Sequence, residues 1–492
     1  MLIPGTDCYS KLKTMTNIQK AYDAEHFRKS GHQLIDLLAD YLTKATNGAE
    51  MPVLPWWEPE GALENWKTYL ADSNPEELFT KTLRESIHIH HPNYMGHQIS
   101  PAAPMAALAG LLSDFMNNGM GVYEMGVVGT ILDRMVIQAV ARKMGFNEQA
   151  DGVMTSGGTL ANVTALLTAR SIKASEEVWT QGTRKPYALM VSEQAHYCVD
   201  RAVRIMGWGS AGIIKIPSNA DYGMRTDLLG DYLAKAREEN IEVLAVVGSA
   251  CSTSTGAYDD LNAIADFCQQ HNLWFHVDGA HGAAVVYSDK YKHLAAGIDR
   301  ADSVIMDFHK MLLTPSITTA LIFKDGTLNF RTFAQEAQYL FEEDESLDWY
   351  NMAKRTFECT KTMMSLKVYS LMHHYGDALF DEYVSKVIDN THLLKVLLAE
   401  DPEFEIATEP QANIICFRHR PVELEENALN LHNAQIRERM RNEGTYYIVK
   451  TSLRGQFYLR CTLTNPFTEK EHLLGMLEMV KATARDLRTV AL

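Results

Sequence analysis

Residues 303–315 read SVIMDFHKMLLTP. Ser303 to Met306 is a short apolar run of strand type. Where a strand should leave its sheet into a polar turn, the chain places Asp307, Phe308, His309 and Lys310, then turns apolar again at Met311 to Leu313. Taken alone, Lys310 reads most simply as a strand-end lysine whose head reaches water while its stem packs. The sharper reading is a lysine used in chemistry: a partly desolvated amine has a lowered pKa and can form a Schiff base with a carbonyl. The rest of the chain decides between them.

Working outward from this run, apolar strands alternate with helices from about residue 150 onward. GVM (152–154), YALMVSE (187–193), EVLAVVGSA (242–250) and LWFHVDGA (273–280) read as strands, with helices at CVDRAVRIMG (198–207) and LNAIADFCQQHN (261–272). Strands alternating with helices imply βαβ units. The fold class predicted is therefore α/β, with a mostly parallel sheet covered on both faces, which lets its strands be apolar throughout. The first hundred residues are helical and segmented. Helical spacing in AYDAEHFRKSGHQLIDLLADYLTKA (21–45) is followed by MPVLPWWEPEG (51–61), whose three prolines break any helix. MAALAGLLSDFMNNG (105–119) and TILDRMVIQAVARKMGF (130–146) read as buried helices. After about residue 375 helices mix with the short strands NIICFRHR, YIVKTSL and QFYLRCTLT, the texture of a smaller α+β unit with an antiparallel sheet. The expected organisation is a helical segment over 1–100, a large α/β domain over 101–370 and a small α+β domain over 371–492.

Composition narrows the function classes. The 492 residues are 46% hydrophobic and 22% charged, ordinary for a globular chain, and the formal net charge is -16 with no lysine/arginine block. That balance argues against nucleic acid and anionic membrane as partners. The seven cysteines are scattered without a C-x-x-C pair, as for free thiols in a reducing compartment. The first twenty residues lack the apolar core of a signal peptide, and no apolar run approaches the roughly 20 residues of a membrane helix. The expectation is a soluble cytoplasmic protein.

In open α/β sheets, ligands bind at the carboxyl ends of the strands. After GVM comes TSGGTLANVTALL (155–167), two glycines leading into a helix, where free amides and the Ser156 and Thr159 hydroxyls suit a phosphate. After the next strands come His196, the hydroxyl-rich CSTSTG (251–256), Asp278 with Gly279, Ala280 and His281, and finally His309 and Lys310. Each alone has a bland reading as a cap or satisfied polar group. Five at five successive strand ends match the needs of one cofactor, pyridoxal 5'-phosphate: a phosphate cradle, a lysine for its aldehyde (Lys310), an anion for its ring nitrogen (Asp278) and a flat group on its ring (His196). A metal reading rests on His88 and His90, two apart on one strand face, with His91 beside them. No acidic or cysteine ligand is near, so hydrogen bonding or stacking is expected there and no metal.

At this point the chain resembles the group II pyridoxal-phosphate-dependent amino-acid decarboxylases, the family of aromatic amino-acid, glutamate, cysteine-sulfinate and diaminobutyrate decarboxylases. SEQAHYCVDRA, HVDGAHG and DFHKMLL stand in the family's order, SGGTLANVTALLTAR resembles its phosphate-binding segment and FYLRCTLTNPFT its C-terminal strand. The resemblance runs from about residue 80 to the C-terminus. It implies fold type I and a homodimer with the active site at the subunit interface and an N-terminal segment wrapped over the partner. It further implies Gly158, Thr159 and Asn162 at the phosphate end, His196 on the ring, Asp278 at its nitrogen and Ala280 against its other face. Ser252 would lie near the phenolic oxygen or substrate carboxylate, His309 would help hold the phosphate, and Lys310 would be the Schiff-base lysine, its apolar flanks shielding an amine that must at times be uncharged. Phe308, Met311 and Asp307 depart from the family's usual proline, tryptophan and asparagine. The family's loop tyrosine, a proton donor to the substrate carbon, has candidates in Tyr339 and Tyr350, of which Tyr350 is favoured.

The expected reaction is decarboxylation of an L-amino acid to an amine and carbon dioxide. The alternatives are an aminotransferase, aldolase or oxidative deaminase on the same fold, or an interaction protein without cofactor. The segment HPNYMGHQISPAAP (91–104) should line the substrate pocket, with His97 and Gln98 able to hydrogen-bond a distal carboxylate. This leans to a small acidic or polar substrate, aspartate- or glutamate-like or 2,4-diaminobutyrate. An aromatic substrate would instead use Tyr94, Trp56 and Trp57 as a stacking wall.

Overall fold

The computed structural model describes residues 15–72, 77–333 and 348–490. Its centre is a seven-stranded sheet of β1 (Asp151–Thr155), β2 (Tyr187–Ser192), β3 (Ile213–Ile216), β4 (Glu242–Ser249), β5 (Trp274–Asp278), β6 (Ser303–Asp307) and β7 (Thr319–Phe323), in the order β1-β7-β6-β5-β4-β2-β3. The strands from β3 across to β6 run parallel, whereas β7 pairs antiparallel with both β6 and β1. The predicted strands are present within a residue or two of their expected ends. β3 and β7 were not expected: IIKI is only four residues long, and TALIF follows β6 too closely for a helical crossover, which is why it returns antiparallel.

Both faces of the sheet are covered, which explains why five of the seven strands are buried at every position. On one face Val153, Leu189, Val191, Ala245, Val247 and Ile305 meet the helices Gly158–Lys173 and Tyr197–Ile205. On the other, Met154, Met190, Val246, Val277 and Met306 meet Val127–Lys143, Leu261–His271 and the long helix Ser365–Ala399. Two of the expected buried helices are buried on one side only. Pro104–Met116 exposes Leu108, Leu111, Leu112, Phe115 and Met116, and Val127–Lys143 exposes Val127, Val128, Ile131 and Met135. Their apolar composition exceeds what this chain alone covers.

The second sheet is antiparallel, β10 (Val449–Leu453), β11 (Gln456–Thr462), β9 (Ile414–His419) and β8 (Phe404–Ile406) in that order. It packs on Glu426–Glu443, Lys470–Val490 and the end of the long helix through Phe417, Leu459, Ile436, Leu473 and Leu394. The loop 88–104 joins the two sheets. Met95 N–H donates to the Tyr447 carbonyl (2.9 Å), Met95 accepts from Thr462 N–H (3.0 Å), and Ser100 N–H donates to the His309 carbonyl (3.0 Å). The segment around Lys310 is thus held by a strap from outside the α/β unit. Among the described residues, no helix is long and apolar enough to cross a membrane.

Candidate active site

Strand register brings the candidates together. Ser249 on β4 pairs with Asp278 on β5, and Asp307 on β6 pairs with Thr319 on β7, which also pairs with Thr155 on β1. The carboxyl ends of β1, β4, β5 and β6, beside the amino end of β7, open into one cavity lined by Gly158, Thr159, Asn162, His196, Ser252, Asp278, Ala280 and Lys310, with Cys198, Cys251, His281 and Asp307. Side chains separated by up to 152 residues in sequence thus share one small space; the family resemblance names the first eight of them for the cofactor, and His281 stands among the strand-end candidates.

At one end lies an anion cradle. Gly157 has a φ of 116°, a conformation that favours glycine, and lets β1 turn into the helix Gly158–Lys173. The first internal helix bonds are those of Leu160 and Ala161 to the Gly157 carbonyl, so the amides before them face outward. A Cβ on Gly158 would meet the Asp307 carboxylate at 3.2–3.3 Å and the Ala280 Cβ at 3.6 Å, so only glycine leaves this space open. The Ser156 hydroxyl, expected here, donates to Glu358 instead.

Lys310 corrects one expectation. Its amine is not shielded by apolar flanks into a lowered pKa. Burial alone would lower it, but Asp307 Oδ2 lies 3.0 Å from Nζ, and Asp307 and Asp278 together hold the amine above its ordinary value. The same Asp307 oxygen is 3.7 Å from His309 Nε2, and its other oxygen accepts from Thr319. His309 Nδ1 lies 3.2 Å from both the Thr318 N–H and the Thr318 carbonyl, so either ring tautomer finds a partner there.

Asn162 is also relocated. Expected at the phosphate end, it lies beside Asp278, donating from Nδ2 to Asp278 Oδ2 and to Cys198 Sγ, both at 3.2 Å. One helical turn separates it from Gly158, so the same helix serves both ends of the cavity. Asp278 Oδ1 accepts from Ala280 N–H (3.2 Å). His196 caps the helix Tyr197–Ile205, its Nδ1 accepting from Cys198 N–H, and burial keeps its proton affinity low against the pull of Asp278. Ser252 turns inward on its own loop, 2.9 Å from Thr255 Oγ1 and accepting from Ala257 N–H.

The substrate-side residues are only partly where they were expected. Tyr94 is buried, its ring 5.7 Å from Tyr447 and its hydroxyl donating to the His97 carbonyl, while Trp56 carries Arg441 on its face at 4.2 Å. His97 keeps an exposed surface while its ring is partly desolvated, 5.9 Å from Tyr447, and Gln98 Nε2 is buried without a partner among the described residues. His88, His90 and His91 lie in a turn rather than on a strand; His90 and His91 bond the carbonyls of Ala102 and Ala49. Tyr350 bonds Asp348 and packs on Tyr123, away from this cavity, and Tyr339 lies outside the described residues.

Arg460 was not anticipated. Its buried guanidinium donates to the carbonyls of Thr253 and Ser254 (2.6 and 3.1 Å) and acts electrostatically on Cys251, His281, Tyr94 and His97. Nothing in FYLRCTLT marks it out; only the packing of β11 under the CSTSTG loop does.

Residues 70–420 match the model of the pyridoxal-dependent decarboxylase conserved domain. The chain belongs to that family. It is 25% identical over 479 residues to an aromatic-L-amino-acid decarboxylase of Bacillus atrophaeus, covering 94% of this chain and 96% of the relative. It is 28% identical over 457 residues to an aspartate 1-decarboxylase of Aliivibrio fischeri, covering 83% and 82%. A crystal structure of mouse CSAD superposes with a TM-score of 0.87 at 24% identity over 94% of this chain and 99% of that one, a likeness of fold. The protein is thus a pyridoxal-phosphate-dependent amino-acid decarboxylase with the expected α/β fold. The open glycine cradle, the lysine and the buried carboxylate that line one cavity fit that cofactor.

Proposed function

We propose that this decarboxylase acts on a small L-amino acid with an acidic side chain, aspartate-, glutamate- or cysteine-sulfinate-like. The observation that carries the proposal is cationic: Arg460 and Arg437 both act on His97 at the loop that straps Lys310, and each lowers that ring's proton affinity after burial has done so. A positive field of this kind favours an anionic side chain and disfavours the second amine of diaminobutyrate. Gln98 Nε2, an unsatisfied donor beside it, supplies the directional contact.

In this reading Lys310 holds the cofactor's aldehyde and the amides around Gly158 and Thr159 hold its phosphate, with His309 beside them. His196 and Ala280 enclose its ring, Asp278 pairs with its nitrogen, and Ser252 lies near its phenolic oxygen. When bound, pyridoxal phosphate supplies an electron sink for the charge left at the α-carbon as carbon dioxide departs. The chain's own residues orient the substrate, exclude water and return a proton to that carbon, a role assigned to Tyr350. Tyr350 lies away from its own chain's cavity, so it would act across a homodimer. The two uncovered apolar faces, at Leu111, Leu112 and Phe115 and at Val128, Ile131 and Met135, support such a dimer. Phe115→Lys with Ile131→Lys is expected to yield a monomer in sedimentation.

The test is amine and carbon dioxide production by the purified, cofactor-loaded protein against aspartate, glutamate, cysteine sulfinate, 2,4-diaminobutyrate, tyrosine, dihydroxyphenylalanine and tryptophan. Turnover confined to the first three is expected, and Arg437→Ala should raise KM for them. Preference for an aromatic substrate would overturn the proposal. Amine exchange without carbon dioxide would point to one of the other reactions on this fold.

A further inference from the structure

Beneath Asp278 runs a chain of polar side chains that touches no part of the cavity beyond Asn162. Trp274 Nε1 donates to Ser303 Oγ (2.9 Å), Ser303 Oγ lies 2.8 Å from His276 Nδ1, His276 Nε2 lies 2.7 Å from Asn162 Oδ1, and Asn162 Nδ2 reaches Asp278 Oδ2 (3.2 Å). Trp274, Ser303, His276 and Asn162 are all buried from water in the sheet and its covering helix.

The direction of every bond follows from the two ends. An indole N–H only donates, so Ser303 accepts from Trp274 and has its own proton to give. An ionised carboxylate only accepts, so the Asn162 amide turns its NH₂ toward Asp278 and its oxygen toward His276. His276 must then carry its proton on Nε2 and leave Nδ1 bare, and Nδ1 takes the Ser303 hydroxyl proton. Each proton then meets one acceptor, the second Asn162 amide proton going to Cys198 Sγ. Protonating His276 would break the Ser303 bond, and burial does hold its pKa down to about 4. A buried network that is fully satisfied is rigid.

We propose that His276 is a positioning residue for the decarboxylation, acting through Asn162 to fix the Asp278 carboxylate, and that Ser303 and Trp274 set its tautomer. The consequence is at the ring nitrogen of the cofactor, where a carboxylate held in one orientation keeps the proton on that nitrogen. This rests on the reading of Asp278 given above, and the test separates the two.

The holoenzyme is prepared with pyridoxal phosphate isotopically labelled at its ring nitrogen, and that nitrogen's magnetic-resonance shift is followed against pH. In Asp278→Ala the protonation midpoint is expected to fall steeply. In His276→Phe and in Ser303→Ala it should fall by about one pH unit, a tenfold change in proton affinity. His276→Gln, which can donate to Asn162 and accept from Ser303, should return most of it. A purely structural role for His276 would lower thermal stability without moving this midpoint. If Asp278→Ala moves the midpoint and neither His276→Phe nor Ser303→Ala does, the relay is overturned while the Asp278 reading stands. If Asp278→Ala leaves it in place, both fall. Ser303→Ala removes one oxygen atom, so the test does not depend on the larger variant folding.

Discussion

Lys361 and Asp133 form an ion pair beneath the turn from β1 into the helix Gly158–Lys173, with Nζ 2.6 Å from Oδ2 and side chains only 2% and 1% exposed. Lys361 also donates to the Met154 carbonyl (2.9 Å), one residue before β1 ends at Thr155 and the chain turns into the cradle. Consider Lys361→Met. At an effective dielectric of about 20 the gross attraction over this distance is about 6 kcal/mol, most of it offset by the desolvation of both charges. Removing one partner forfeits the attraction and keeps the other desolvation cost. Asp133 Oδ1 already lacks a partner among the described residues, so nothing is placed to compensate. The expected loss is roughly 3–5 kcal/mol, as for other broken buried pairs. Adding Asp133→Leu should recover most of it, because two apolar side chains leave no stranded charge. Urea unfolding at fixed protein and cofactor concentration reads the loss, and hydrogen exchange at the end of β1 locates it. A single variant that loses less than about 1 kcal/mol, or a double variant less stable than the single, would refute the reasoning.

Three further outcomes are expected. Lys310→Ala should lose nearly all carbon dioxide release, and borohydride should no longer fix cofactor to the peptide containing residue 310; normal turnover would sink the assignment. His281 is held to a pKa of about 3 by burial first and then by the charge of Lys310. A histidine depressed below its unfolded value of about 6.5 costs nothing above that pH; as pH falls the unfolded chain takes up the proton first, so stability drops. Between pH 7 and 5 this is about 2 kcal/mol, which His281→Gln should remove from the pH dependence of unfolding. Gly279→Ala would place a Cβ 2.5 Å from the Ala283 Cβ and 2.8 Å from the Ile305 carbonyl, and should destabilise by about 1–3 kcal/mol in a thermal scan through overpacking.

The strands that carry the site were legible because each is a short apolar run closed by a polar residue, a pattern written locally. Ser303 to Lys310, Trp274 to Ala280 and the Gly157–Gly158 turn state by themselves that a lysine, a carboxylate and an anion cradle share one edge of a parallel sheet. That much the chain determined without its tertiary structure; the decarboxylase reaction came from its resemblance to that family. Where a side chain faces was decided only by folding. Asn162 sits one turn beyond the cradle in sequence, yet its amide is claimed by Asp278 and His276, more than a hundred residues away. Asp307 raises the proton affinity of Lys310 because the two face each other across one helical turn, against what the apolar neighbours suggested. Arg460 reaches the site because β11 packs under a loop some two hundred residues earlier. The apolar face of Pro104–Met116 read as core and remains uncovered in one chain. The physical reason is common to all four. Periodicity and turn chemistry act over a few neighbouring residues, whereas hydrogen-bond partners, electric fields and burial depend on which distant segments the sheet order brings alongside.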